Sequence, residues 1–318
     1  MYDVVSIGEP VIDFVPLQTG DCLTYQAFPG GGAANVLAQV CAMGGTSFLS
    51  GAVGDDLFGD FLLREVASRG IDIGGIGRTR AKNTGISFVQ LTQQGERSFL
   101  NYRDYETDPG LWGPPGEAAL DQCRIFHFTS VSLVGSAQRE ATLKAARAAA
   151  DRGRLLSFDV NYRDTMWQDK GLAKELILQS IDRAQIIKLS EEEQAFLCPG
   201  ADSRECARRL DRTGKKLVLI SLGAQGSFFS FEKGQGLCPG FPVRAKDTTG
   251  CGDAFVGTVL ASLAKVLGLQ GLAGVPLDAM ERIVTLGNAA GALCATRYGS
   301  LSAMPSRREV LDFLDSRR

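Results

Sequence analysis

The sequence predicts an α/β fold: a mostly parallel central sheet covered by helices, with a small β lid attached. Strand-like apolar runs alternate with helical stretches over most of the 318 residues, the pattern of a parallel sheet with crossover helices. Hydrophobic residues make up 44% of the chain, enough for a sizeable core. One stretch breaks the alternation: Thr84 to Arg103 carries two alternating segments around QQGE, a hairpin signature.

DVVSIG opens the chain as a buried strand. AANVLAQVCAMG has helical spacing through Val36, Val40 and Met43. SFLSGAV reads as strand, and DLFGDFLLREVASRG as a helix with Gly70 as C-cap. RIFHFTSVSL is a strand, REATLKAARAAADRG an Ala-rich helix, RLLSFDVNY a strand and LAKELILQSIDRA a helix. IIKLS and KKLVLISLG are strands, and RREVLDFLDSRR is a last amphipathic helix. A polar-apolar segment near Leu17 to Phe28 joins the hairpin in a lid formed by about residues 14–28 and 84–105. Residues 1–318 read as a single α/β domain bearing that lid.

Charge excludes some classes of function. Lys and Arg total 34 against 36 acids, so no basic footprint for nucleic acid or a membrane surface is present. RRLDRTGKK reads as a solvated helix and turn. MYDVVSIGEP lacks a basic region followed by an apolar stretch, and no apolar run approaches a membrane span, so a cytoplasmic protein is expected. The eight cysteines are scattered without a CxxC pair, which favours reduced thiols over a zinc site. His127 is the one histidine and lies in the apolar run IFHFTSV, so it reads as a core or pocket-edge residue. Ser-His-Asp hydrolysis therefore has a single His candidate and no GxSxG elbow.

The stretch that carries chemistry is DTTGCGDAF, Asp247 to Phe255. Gly250, Cys251 and Gly252 precede a helix whose apolar face runs through Phe255, Val259, Leu263 and Leu267. A first helical turn has free N–H groups at the positive end of the dipole, and glycines admit close approach. Together these suit a phosphate. Asp253 lies in the same turn. It is either a helix-favouring acid or, beside a bound phosphate, a base for an attacking hydroxyl. GxxxxGK[ST] and GxGxxG are both missing, so the P-loop and the dinucleotide fingerprint are excluded.

DTTGCGDAFVG and PGGGAANVLAQVCAMGG resemble the two signatures of the PfkB (ribokinase-like) carbohydrate kinases, in order and at the expected spacing. GEPVIDFVP, FDVNYRDTMW and KLSEEE resemble further motifs, and within the family the chain is most similar to bacterial fructokinases. The resemblance covers nearly the full length. It implies a three-layer α/β/α ribokinase-like fold and ATP-dependent phosphorylation of a sugar. Asp253 would be the catalytic base, with the N–H groups of Gly250, Cys251 and Gly252 as an anion hole for the γ-phosphate. Asp13, Gly31, Gly32 and Asn35 match sugar-contact positions, and Arg103 a lid residue reaching the substrate. Asp159, Asn161 and Arg163 would stand at the sheet edge, where open α/β folds bind ligands.

On the nucleotide side the resemblance implies Lys188 and Glu191, the latter helping to hold Mg²⁺ through water. Lys188 stands where many relatives have Asn. Ser221 and Gly223 to Gly226 resemble the turn beside the nucleotide. Asn288 either lines the adenine pocket or makes an interhelical hydrogen bond. Asp247 and the carbonyls of Thr249, Cys294, Arg297 and Gly299 fit a monovalent-cation site for K⁺, although Ala303 lacks the hydroxyl some relatives offer. Cys251 replaces the usual Ala, and a thiol at a helix N-terminus is expected to be reactive. The expected partners are a small sugar and ATP, and the lid hairpin offers an edge for pairing with a second copy. Kinases of 2-keto-3-deoxygluconate, ribose or nucleosides, and a non-catalytic sugar sensor, share this scaffold. Gly32 stands where ribokinases carry Lys, which disfavours ribose.

Overall fold

The computed structural model describes residues 1–19, 22–91, 97–104, 111–268 and 271–317. The chain opens with β1 (Tyr2–Ile7), the hairpin β2 (Val11–Thr19) and β3 (Cys22–Gly30), and helix α1 (Gly32–Ala42). Then come β4 (Ser47–Gly54), α2 (Leu57–Ser68), β5 (Asp72–Thr79), β6 (Ile86–Leu91) and β7 (Arg97–Tyr102). The middle of the chain supplies α3 (Pro114–Asp121), β8 (Cys123–Thr129), α4 (Ser136–Asp151), β9 (Leu155–Asp159), α5 (Lys170–Arg183) and β10 (Ile186–Ser190). Helices α6 (Glu191–Leu197) and α7 (Ser203–Leu210) lead to β11 (Leu217–Ser221), β12 (Gly226–Phe231) and β13 (Gly234–Pro239). Three helices finish it: α8 (Cys251–Val266), α9 (Leu277–Ala295) and α10 (Arg307–Asp315).

The central sheet runs β13-β12-β11-β10-β9-β8-β1-β4-β5. Its pairs are parallel from β11 to β5, and β12 and β13 add an antiparallel edge. Neighbouring strand residues point to opposite faces, and both faces are apolar. Val4 and Ile125 pack with α1, α8 and α9 on one side. Val5 and Phe126 pack with α4 and α5 on the other. This is the expected three-layer arrangement.

The lid is a second sheet, ordered β3-β2-β6-β7. Its two predicted pieces meet where β2 runs parallel to β6. It begins earlier than expected, at Val11, and the QQGE turn lies outside the described residues. Two strands are shorter than their apolar runs. β8 stops at Thr129, where Ser132 donates back to the Thr129 carbonyl and the chain turns into a 3-10 segment. β9 stops at Asp159, and Asn161 takes a left-handed backbone, φ +37°. That turn sets residues 161–163 at the sheet edge, with Asn161 buried and Arg163 exposed.

RRLDRTGKK is less solvated than its charge suggests. Lys216 is buried and donates to the carbonyls of Ile181, Asp182 and Ala184, closing the C-terminus of α5. His127 is fully buried beside the Ser157 hydroxyl, and burial pushes its pKa down to about 4. It is a neutral core residue, as expected.

Helices α1 and α8 touch through Gly257. A Cβ there would lie 2.6 Å from both the Val36 carbonyl oxygen and the Gln39 Cβ. Gln39 Nε2 donates to Thr258 Oγ1 at 3.0 Å across the same contact. Gly257→Ala must part the helices and is expected to destabilise the protein by about 1–3 kcal/mol, as overpacking typically does. Urea denaturation checks this, and an unchanged midpoint would show that the contact yields freely.

Candidate active site

Strand β2, helix α1, the β9–α5 loop and the N-terminus of α8 converge on a cavity of about 470 Å³. It opens at the C-terminal edge of the parallel strands, where unpaired strand ends and helix N-termini leave polar backbone exposed. Asp13, Gly31, Gly32, Asn35, Arg103, Asn161 and Arg163 all line it, as do Lys188, Ser221, Thr249, Gly250, Gly252 and Asp253. These residues, expected from the sequence, and the α8 turn therefore line one cavity. Asn101, Thr248, Ser190, Glu192 and Glu193 line it too. Sequence reasoning missed those five.

Asp253 is the third residue of α8. Asn35 Nδ2 donates to its Oδ2 at 2.8 Å. Burial pushes its pKa up, and nearby Asp159 adds to this. The Asn35 hydrogen bond, Lys188 and Arg163 pull the other way. A carboxylate held above its ordinary range is a better proton acceptor than a free aspartate. Gly250 sits ahead of it in the left-handed region, φ +82°. A Cβ there would press on Ser300 at 3.1 Å. Gly252 faces Lys188, whose Nζ would lie 3.1 Å from an added Cβ. The Cys251 N–H is engaged elsewhere, donating to the Thr248 carbonyl at 3.3 Å. Cys251 also lies outside the cavity lining, so Gly250 and Gly252 alone present that turn to a ligand.

Lys188 and Asp159 form a buried ion pair, 3.1 Å apart. Burial opposes the Lys188 charge, but Asp159, Glu193 and Asp253 outweigh it and raise its pKa. Asp159 thus stands behind the cavity wall as the partner of Lys188 instead of lining the site. Glu191 lies outside the lining, so of the run 191–193 only Glu192 and Glu193 join Asp13 and Asp253 at the cavity. Glu193 Oε2 accepts from Ser190 N and Oε1 from Tyr162 N, both at 2.7 Å, which locks the β9–α5 loop against α6. The capping box Ser190–Glu193 was readable as S-x-x-E, and it is the signal that could have singled out Glu193.

A second cavity of about 810 Å³ adjoins the first and shares Arg163, Ser190, Glu192, Glu193 and Thr248 with it. Asp247 lines it. Asp247 Oδ1 accepts from Thr249 N at 2.8 Å and Oδ2 from Gly299 N at 3.1 Å, clamping two loops together. The Thr249 carbonyl lies 3.7 Å from the Cys294 thiol. The Cys294 carbonyl already accepts from Arg297 N. Arg297 itself pairs with Glu309 on α10. Gly223 and Gly226 lie outside both linings. Gly226 serves the β11–β12 turn, φ +107°, where a Cβ would strike the Cys238 carbonyl at 2.1 Å. Asn288 is also spent on the fold. Its Oδ1 accepts from Ser227, and its Nδ2 donates to the carbonyls of Cys238 and Pro239. It ties α9 to β12 and β13, a bond between helix and strands instead of between helices. The cysteines described are free thiols.

A helix N-terminus carrying a carboxylate stands across a polar cavity from a second carboxylate on the β lid, an arrangement chemically suited to an enzyme acting on a polar ligand. The chain belongs to the pfkB family of carbohydrate kinases, whose family model matches residues 1–307. It is 36% identical to fructokinase-1 of Oryza sativa subsp. japonica, over 98% of each chain. Among solved structures it is similar to the ATP-bound fructokinase of Xylella fastidiosa, with a TM-score of 0.90, 29% identity and coverage of 100% and 99% of the two chains. It is also similar to the Vibrio cholerae O395 fructokinase bound to fructose, ADP and calcium ion, with a TM-score of 0.86, 27% identity and 98% of each chain covered. The fold is ribokinase-like and the chain is an ATP-dependent carbohydrate kinase. Among the described residues, no helix is long and apolar enough to cross a membrane.

Asp13 has a measurable electrostatic signature. Burial raises its pKa from 3.8 to about 6, against the pull of Arg103. A raised carboxylate favours the fold below its unfolded pKa, and that stability is lost as pH rises through about 6. Asp13→Asn removes this penalty. The variant is expected to gain about 1–3 kcal/mol on the native protein between pH 4.5 and 8. Urea denaturation at the two pH values measures it, and a pH-independent gap would contradict a buried, ionising Asp13.

Proposed function

We propose that the chain transfers the γ-phosphate of ATP to a hydroxyl of fructose. The observation that carries the chemistry is Asp253, held by Asn35 at the N-terminus of α8 inside the shared cavity. The choice of fructose is supported by the full-length similarity to fructokinases. Residues 1–318 act as one catalytic unit in this reading.

The sugar lies between Asp13 and Asp253, with Asn35, Asn161, Arg103 and Arg163 around it. Its hydroxyl proton passes to Asp253 as the oxygen bonds to the γ-phosphorus, and ADP departs with the electrons of the broken P–O bond. N–H groups at the N-cap Gly250 and at Gly252 in the first turn, with Lys188 beside them, face the developing charge. The lid excludes water that would otherwise hydrolyse ATP.

Among the described residues, no cluster of three or more His, Cys, Asp or Glu side chains could hold a metal alone. Mg²⁺ binds through one or two carboxylates plus substrate phosphates. Glu192 and Glu193 are the carboxylates in place for it, and the ion would neutralise phosphate charge. For K⁺, the loops joined by Asp247 offer the Thr249 carbonyl and the 297–299 backbone. Such a cation would stiffen the turn leading into Gly250.

ATP turnover across fructose, 2-keto-3-deoxygluconate, ribose and adenosine tests the reading. Fructose-dependent turnover is expected, falling several-fold when Na⁺ replaces K⁺. Asp253→Asn should lower kcat by about 10³-fold, within the usual range for a lost general base, and leave sugar and ATP binding intact. Sugar binding without turnover by the native chain would instead favour a sensor.

We also propose a homodimer through the lid, supported by the exposed Leu17, Leu23, Leu100 and Tyr102. Sedimentation should show two copies, and Leu23→Lys should shift the protein toward the monomer. A native monomer at all concentrations would refute the pairing.

A further inference from the structure

Asp13, Ser87 and Asn101 form one rung across three strands of the lid. Asp13 on β2 is in register with Ser87 on β6, and Ser87 with Asn101 on β7. Residues in register share a face of a sheet. Asp13 and Asn101 line the cavity, so the rung faces the sugar site. The opposite face is fixed by aromatic packing. Phe14 stacks on Phe88 at 5.1 Å, and Phe88 meets Tyr102 edge to face at 5.8 Å. Slipping the register by one residue would exchange these rings with the polar rung, so the register is strongly set.

Ser87 is fully buried. Arg103 Nη2 donates to its hydroxyl at 2.9 Å, and the hydroxyl donates to Asn101 Oδ1 at 2.7 Å. A guanidinium can only donate, so the Ser87 proton must pass onward. The carbonyl end of the Asn101 amide is thereby turned toward Ser87, leaving its N–H₂ group for the cavity. The Arg103 Nε–H is buried and has no partner within the described protein. A buried donor left unpaired is costly, so a ligand oxygen there is strongly favoured.

We propose that Ser87 is a positioning residue for sugar recognition. It sets Asn101 Nδ2 and Arg103 Nε as donors over the lid-side end of the sugar, beside the Asp13 carboxylate, which accepts from a sugar hydroxyl. This rests on the fructokinase reading and deepens it. The rung reads one oxygen that accepts and a neighbouring hydroxyl that donates, as a polyol provides. Its charges balance, Asp13 against Arg103. A neutral ketose therefore suits this end, whereas the carboxylate of a sugar acid would be set against Asp13.

Steady-state kinetics with Ser87→Ala and Ser87→Thr test the relay. Ser87→Ala is expected to raise KM for fructose about tenfold, the size of one mis-set charge-assisted hydrogen bond. Its kcat and its KM for ATP should stay within about twofold of native. Ser87→Thr, which keeps the hydroxyl, should restore the sugar KM. Singly deoxygenated fructose analogues sharpen the test. The oxygen under the rung should show a KM penalty in the native enzyme that collapses in Ser87→Ala. An unchanged sugar KM, equal damage to kcat and ATP binding, or deoxy penalties that all persist would overturn the proposal. If Ser87→Ala does not fold, Asn101→Asp replaces the donor with an acceptor, and an unchanged sugar KM there is equally fatal. Preference for 2-keto-3-deoxygluconate over fructose would overturn the charge-balance part. If turnover requires another neutral sugar, the fructokinase reading fails while the KM split is read on that sugar.

Discussion

Helices α1 and α8 start on the same cavity, and their close approach sets everything that follows. Each brings the positive end of its dipole, and each has a glycine at its N-cap, Gly31 and Gly250. The contact at Gly257 lets the axes come close enough for Asn35, on α1, to reach Asp253, on α8. The two residues are 218 positions apart in sequence, so the bond depends on α8 being packed against α1. Asn35 also constrains chemistry. By donating to one oxygen of Asp253, it leaves the other, Oδ1, on the side of Gly32 and Asn161.

The charges of the site are arranged around that bond. Asp253 is pushed toward protonation by burial and by Asp159, and pulled back by Asn35, Lys188 and Arg163. Lys188 is shared between Asp159, 3.1 Å away, and the space in front of Gly252. A buried ion pair is weak evidence for stability, because desolvation offsets much of the attraction. Its place here has a clearer consequence. A fixed cation, already desolvated and held by Asp159, faces the turn where phosphate charge would arrive, so little reorganisation is required.

Much of this was legible in the sequence because it rests on local rules. The strand–helix alternation gave the layered sheet, and QQGE between alternating segments gave the β6–β7 hairpin. The glycines before Asp253 gave the α8 turn. What was not legible depends on partners distant in sequence. Asp159 and Arg163 look alike as charged residues after a strand, yet only Arg163 lines the cavity, because Lys188 on the neighbouring strand claims Asp159. In the acidic run 191–193, helical rotation decides which carboxylates turn inward. Asn288 shows the same limit: its three bonds go to β12 and β13, strands the alternation did not mark. Asn101 was unreadable for another reason. Its polarity fits any exposed hairpin position, and only register with Ser87 and Asp13 places it over the cavity.

The lid and the turn that begins α8 are also joined by packing. Phe28 lies opposite Asp13 in the β2–β3 register and would be 2.7 Å from a Cβ on Gly299. Ser300 donates to the Pro29 carbonyl at the end of β3, and its backbone packs on Gly250. Gly299 N donates to Asp247, which in turn accepts from Thr249 N. A short chain of contacts therefore runs from the polar rung through Phe28 and residues 299–300 to the turn that begins α8. Packed groups of this kind transmit displacement poorly by bending and well by moving together. The rung thus belongs to the same packed body that positions Gly250 and Asp253, although β2 and α8 lie at opposite ends of the sequence.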